Sequence, residues 1–153
     1  MTQEKKISDQ ADDINELYLL FLLKGDTYAV RVGSVKHIIR YGDVSSVPGG
    51  LETAIGIAEV RGESILIFDT SRLLGEGHST YGDDNFIMLC ESSEGHSFGL
   101  AVDEMKGVIH LTNNQLSFPE GADQAGTYLT GTANTPQGIL VIINVDKIGR
   151  NNF

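Results

Sequence analysis

The sequence predicts an all-β protein built as two small barrels packed together. Three observations predict it. The chain of 153 residues, the length of one domain, breaks into roughly nine or ten short apolar or alternating runs of strand length. Between the runs lie turn residues: the chain has 18 Gly and 3 Pro, a balance suited to many tight turns. No segment sustains an amphipathic helical period, and no solenoid-type repeat is present. The runs fall into an N-terminal and a C-terminal set, as expected for one barrel each.

Residues 1–16 are polar and charged without periodicity and are expected to be a flexible leader. LYLLFLL over 17–23 is a continuous apolar run ended by Lys24-Gly25-Asp26, and residues 27–32 alternate, so the pair predicts a hairpin. Over 33–40 the period changes. Val35, Ile38 and Ile39 fit one face of a short helix with Ser34 as N-cap. A turn-rich connection with Pro48 follows. Residues 55–60 and 63–69 flank Arg61-Gly62 and predict a second hairpin with Arg61 at its tip; 64–68 (SILIF) suits a core strand. Residues 70–74 form a helical turn closed by Gly75. After the polar loop 76–85, residues 86–91 and 97–102 predict a third hairpin, 108–111 a short strand, and 112–126 a long connection. Residues 128–133 and 139–144 form a last hairpin around Thr135-Pro136-Gln137-Gly138, and 145–148 finish as a helical turn.

Composition narrows the function. A formal net charge of −10 opposes binding to phosphate backbones and to anionic membrane surfaces. The hydrophobic fraction of 41% is ordinary for a soluble domain able to form a core without disulfides or metal. The single Cys90 lies in the apolar run 86–90 and reads as a buried structural thiol. The N-terminus lacks the shape of a signal peptide, and the run 17–23 is too short to span a bilayer, so the expected location is cytoplasmic.

Catalytic and metal signatures are weak. His37, His78, His96 and His110 show no metal-ligand spacing. Gly95-His96-Ser97-Phe98-Gly99 matches G-x-S-x-G, but that motif needs a strand before the serine and a helix after it. Here a turn precedes and a strand follows, so Ser97 reads as an ordinary strand residue. Gly75-Glu76-Gly77 lacks the third glycine and the βαβ setting of a dinucleotide site. The acidic groups Asp83-Asp84, Asp103-Glu104, Glu59 and Glu63 read as solvated surface. Arg61, at a tip between two apolar strands, has two readings: a solvated turn residue or a multi-donor side chain presented at a protein interface.

Three stretches carry a resemblance. Pro48 followed by Gly56-Ile57-Ala58-Glu59-Val60-Arg61-Gly62-Glu63-Ser64-Ile65-Leu66-Ile67-Phe68-Asp69, then Leu73 and Gly75, resembles the centre of the CheW family, where N-x-R-G precedes an apolar strand closed by Asp. Gly99-Leu100-Ala101-Val102-Asp103-Glu104-Met105 with Val108 resembles the family's second signature. Tyr128-Leu129-Thr130-Gly131 with the run 139–147 resembles its closing hairpin. The resemblance covers roughly residues 17–149, leaving 150–153 as a tail. A CheV-like relative would add a receiver domain, for which this sequence has no counterpart.

The resemblance implies two five-stranded SH3-like barrels with short helical turns. It implies a non-catalytic, cofactor-free adaptor between the regulatory domain of a CheA-type histidine kinase and the cytoplasmic tip of methyl-accepting chemoreceptors. A crevice between the barrels would hold the helical receptor tip. Positions matching the family's groove are Val35, Gly56, Arg61, Gly62, Phe86 and Ile87. Two departures stand out. His37 occupies a position where the family commonly has an acid able to pair with the arginine, and Glu59 replaces the family's Asn. Glu59 is then the acid placed to partner Arg61. Adaptors of non-flagellar pathways, such as pilus or twitching systems, would share these features. The remaining alternative is a β-barrel module for a small ligand, which requires a cavity that barrels of this size normally fill with their own side chains.

Overall fold

The structure, a computed structural model, describes residues 17–42, 44–46, 53–77, 79–119 and 128–153. The leader expected over 1–16, the Pro48 turn, His78 and the second half of the 112–126 connection lie outside the described residues. In chain order the strands are β1 (Leu17–Leu23), β2 (Asp26–Arg31), β3 (Val35–Arg40), β4 (Val44–Ser46), β5 (Ala54–Val60), β6 (Glu63–Asp69), β7 (Phe86–Glu91), β8 (Ser97–Val102), β9 (Glu104–His110), β10 (Leu116–Ser117), β11 (Leu129–Thr135) and β12 (Gly138–Ile143). A 3-10 turn, Val32–Ser34, joins β2 to β3; helix α1 (Thr70–Leu73) follows β6 and helix α2 (Val145–Asn152) follows β12.

The twelve strands form two six-stranded sheets, ordered β10-β11-β12-β2-β1-β9 and β3-β7-β8-β6-β5-β4. The mostly β architecture and the paired sheets match the expectation, and the four hairpins lie where their turn residues place them. Each sheet gains a short sixth strand, β10 or β4, at an edge, and among the described residues neither sheet closes by hydrogen bonding between its end strands.

The expected division into an N-terminal and a C-terminal set is corrected. The chain completes β1 and β2, builds the whole of the second sheet with β3–β8, and returns to the first sheet at β9. Two parallel pairings make this interleaving possible: β12 lies beside β2 (Val141 opposite Tyr28), and β6 beside β8 (Ile67 opposite Gly99). The sheets repeat one plan. In each, a short edge strand pairs with a bulged strand (irregular at Ala54/Gly56 and at Leu129/Gly131) that turns into the strand of the parallel pair. That strand ends at a side chain capping a helix: Asp69 accepts from Arg72 N at 3.4 Å and Asn144 from Lys147 N at 3.1 Å.

The expected helix over 34–40 is also corrected. The segment is strand β3, antiparallel to β7, with Ser34 ending the 3-10 turn. The short strand expected at 108–111 is the longer β9, the 112–126 connection contains β10, and the closing helical turn extends through Asn152 into the expected tail.

Alternation splits the apolar side chains among three clusters. Tyr18, Leu20, Ala29, Leu140 and Ile142 fill the interior of the first sheet. Ala58, Ile65, Ile67, Ile87, Leu89 and Ala101 fill the interior of the second. Between the sheets lies the largest cluster, with Phe21, Leu23, Val30, Phe68, Met88, Phe98, Leu100 and Ile148 among its members. Phe68 meets Phe98 edge-on at 5.9 Å between centroids. α2 fastens one sheet to the other: Asp146 accepts from Ser93 N at 2.7 Å, and Arg150 contacts Glu94 at 3.2 Å.

Candidate partner-binding site

All seven residues singled out in the sequence lie in or beside the second sheet, but they do not share one surface. Phe86 and Val35 pack against the cluster between the sheets, and Arg40 lies over the Phe86 ring at 5.6 Å. Ile87, the next residue along β7, points the other way and is fully buried inside the second barrel. Gly56 is buried under β4, where an added Cβ would run into the Ser45 carbonyl oxygen. The close approach expected at Gly56 is real, and the backbone that approaches is the chain's own.

Arg61 and Gly62 form the tight turn between β5 and β6, with φ of 52° and 79°. Two successive positive φ values are the geometry of a two-residue hairpin turn whose twist matches the strands. Glycine adopts it freely; arginine at the first position does so at some cost. Lys24-Gly25 repeats the arrangement between β1 and β2, with φ of 51° and 87°. The turn lifts the Arg61 side chain into solvent.

Arg61 and His37 line a cleft of about 380 Å³ at the mouth of the second barrel. Val60, Ile65 and Leu89, members of that barrel's interior, form its apolar floor, and Lys36, Glu63 and Glu91 complete the charged rim. Cys90 borders it, but its thiol is buried and burial pushes its pKa up to about 12, so it is an inert wall and no nucleophile. The cleft is open to solvent, and beneath it Ile65, Ile67, Ile87 and Leu89 fill the barrel's interior.

The expected pairing of Glu59 with Arg61 is corrected: among the described residues, no hydrogen bond or ion pair joins Arg61 to Glu59, Glu63 or His37. Glu59 alternates with the buried Ala58 on β5 and points outward with Ile57, away from the cleft that Val60 floors.

Two residues outside the groove positions named from the sequence, Ile38 and Val108, are 44% and 54% exposed. Ile38 is opposite Met88 and Val108 opposite Leu19, and cross-strand partners share a face. Both Met88 and Leu19 belong to the central cluster. Ile38 and Val108 therefore continue that cluster outward along β3 and β9, the end strands of the two sheets.

The far end of the second barrel is tightly bonded instead. Tyr81 donates to Asp69 Oδ1 at 2.9 Å, Ser79 N donates to Oδ2 at 3.2 Å, and the Tyr81 ring stacks on Tyr41 at 5.9 Å. Ser97, the serine of the hydrolase-like pattern, begins β8, and strand continues through Val102 with no helix after it. Among the described residues no group of three or more His, Cys, Asp or Glu is placed to hold a metal ion, and no helix is long and apolar enough to cross a membrane.

Comparison with known proteins agrees with this architecture. The CheW-like domain family matches residues 17–152. Chemotaxis protein CheW of Thermotoga maritima is 24% identical over 139 residues, covering 90% of this chain and 91% of that protein. Chemotaxis protein CheV2 of Helicobacter pylori is 27% identical over 135 residues, covering 79% of this chain and 43% of that longer protein. Among solved structures, the scaffolding protein TtCheW from Thermoanaerobacter tengcongensis superposes with a TM-score of 0.76 at 25% identity, covering 86% of this chain and 90% of its own. With a family match spanning residues 17–152 and a shared fold over 86% of the chain, the chain belongs to the CheW-like domain family.

Proposed function

We propose that this chain is a non-catalytic scaffold that couples chemoreceptors to a CheA-type histidine kinase in chemosensory signalling. Its relatives are chemotaxis and scaffolding proteins, and the likeness extends over both sheets. In this reading it works in the cytoplasm, where the kinase regulatory domain and the receptor tip meet.

One observation carries the binding role: aliphatic side chains stand exposed on the end strands of both sheets, flush with the cluster between them. A helical receptor tip laid along this margin covers Ile38 and Val108, with Val35 and Phe86 as the packed layer beneath. Arg61 and His37, at the adjoining mouth of the second barrel, supply polar contacts at the edge of the same footprint. Gly56 and Ile87 serve by shaping the barrel that presents these groups.

The test is assembly of a ternary complex from purified scaffold, the kinase and a receptor cytoplasmic hairpin of the same organism. Arg61→Glu is expected to weaken receptor coupling while circular dichroism and thermal midpoint stay near wild type. Unchanged assembly by Arg61→Glu removes Arg61 from the interface; no binding of either partner by the wild type removes the scaffold reading itself.

A further inference from the structure

The second barrel has an open seam, and its charges are arranged around that seam. Among the described residues the end strands β3 and β4 do not pair. Among the described residues β4 pairs with β5 from Gly56 to Ala58, and beyond it Val60 and Arg61 line one cleft with Lys36 and His37 of β3. Lys36 and His37 sit on β3, at one lip; Arg61 sits on the turn after β5, at the other. The two acids of the cleft, Glu63 on β6 and Glu91 on β7, come from strands between these lips in the sheet order. Among the described residues no hydrogen bond or ion pair joins any two of these five side chains. The floor between them is Val60, Ile65 and Leu89.

Basic groups on both lips over an apolar floor fit one kind of visitor. We infer that the seam receives a carboxylate side chain of the partner protein, held between Arg61 and the Lys36-His37 lip, with a neighbouring aliphatic side chain of the partner on the apolar floor. Arg61 offers a planar, multi-donor group suited to a carboxylate, and its charge is not consumed within the cleft. His37 is the residue that sets this preference. An acid at position 37 would face Arg61 across the seam, compete for its donors and repel an incoming carboxylate; histidine does neither. This inference rests on the scaffold reading and names the chemistry of its partner.

The experiment measures the affinity of the intact scaffold for a receptor cytoplasmic hairpin at low and at high salt, with binding to the kinase regulatory domain measured alongside. His37→Glu is expected to weaken hairpin binding about 5- to 10-fold and to flatten its salt dependence, as loss of a charge contact does, while kinase binding holds. Single Glu→Gln and Asp→Asn changes along the hairpin are expected to identify one acid whose neutralisation costs a similar factor in wild type and nothing further in His37→Glu. His37→Gln, which brings no carboxylate to the lip, is expected to keep more of the wild-type affinity and salt slope than His37→Glu. Equal affinity and salt slope for wild type and His37→Glu overturns the seam as a carboxylate site while leaving the scaffold reading intact. A wild type that binds neither hairpin nor kinase domain overturns both.

Discussion

Gly56 and Gly131 occupy the same place in the two sheets. Each follows the bulge of a penultimate strand, and at each an added Cβ would run into the backbone of the short edge strand alongside, at Ser45 or Ser117. The chain thus solves one problem twice: a bulged strand can carry a further edge strand only if no side chain stands between them.

Gly56→Ala is therefore expected to destabilise the fold by about 1–3 kcal/mol, the usual cost of forcing volume into a packed site. Loss of amide protection should centre on β4. Gly131→Ala should do the same at β10. Denaturant midpoints and hydrogen exchange check both. A fully stable Gly56→Ala with weakened partner binding would place Gly56 at the interface instead of in the packing.

Three tyrosines make stability fall at alkaline pH. Burial raises Tyr81 well above its ordinary value of 10.0, with the Asp69 carboxylate beside it adding to the shift. Burial also raises Tyr28, assisted by the neighbouring Glu76 carboxylate, and raises Tyr41, assisted by Asp69. In the unfolded chain these phenols lose their protons near pH 10, while the native ones keep theirs, so the folded state binds more protons. The contribution of these three groups is then constant below about pH 10 and declines as pH climbs beyond it. Urea midpoints across that range test the sign. Tyr81→Phe should cost about 0.5–1.5 kcal/mol at neutral pH through the lost bond to Asp69, and should make the alkaline decline shallower.

Cys90 is 1% exposed, and burial alone pushes its thiol up to about 12 from 9.0. Native protein at pH 8 should react with a disulfide reagent only as fast as it opens, and fully once unfolded. Rapid stoichiometric labelling of the native protein would contradict this placement. Cys90→Ser would bury a hydroxyl among apolar neighbours and should lower stability by about 1–3 kcal/mol without changing partner binding.

How far the sequence carried the fold follows from where the information sits. The hairpins at Lys24-Gly25 and Arg61-Gly62 were legible because the turn residues and the flanking runs are contiguous. β3 was misread because of its bulge. The irregularity between Val35 and His37 brings Val35 and Ile38 to one face, three residues apart, which mimics helical spacing. Membership of the sheets was hidden for a different reason. It depends on the parallel pairs β2–β12 and β6–β8, which join segments distant in sequence and leave no local pattern. The candidate site was legible residue by residue through its resemblance, but not as a shape. Nothing local says that Phe86 and Ile87 point to opposite sides of β7, or that Glu59 turns away from Arg61.

Ile38 and Val108 supply the sharpest test of the binding face, because the fold has little use for them. Each is about half exposed, and each sits on an end strand whose outer edge is unpaired among the described residues. Replacing an exposed aliphatic residue by a charged one usually changes stability by no more than about 0.5 kcal/mol. The same change in an apolar contact with a partner helix buries a charge without a partner and costs far more. Ile38→Asp and Val108→Asp should therefore leave the thermal midpoint within a few degrees of wild type, and each should weaken receptor-hairpin binding at least about tenfold. If one helix pair covers both strands, the double variant should lose less than the sum of the two singles, since the first charge already lifts the helix from the second position. Strict additivity would mean two separate contacts, one on each sheet. Binding equal to wild type in both variants would move the receptor contact away from the central margin altogether.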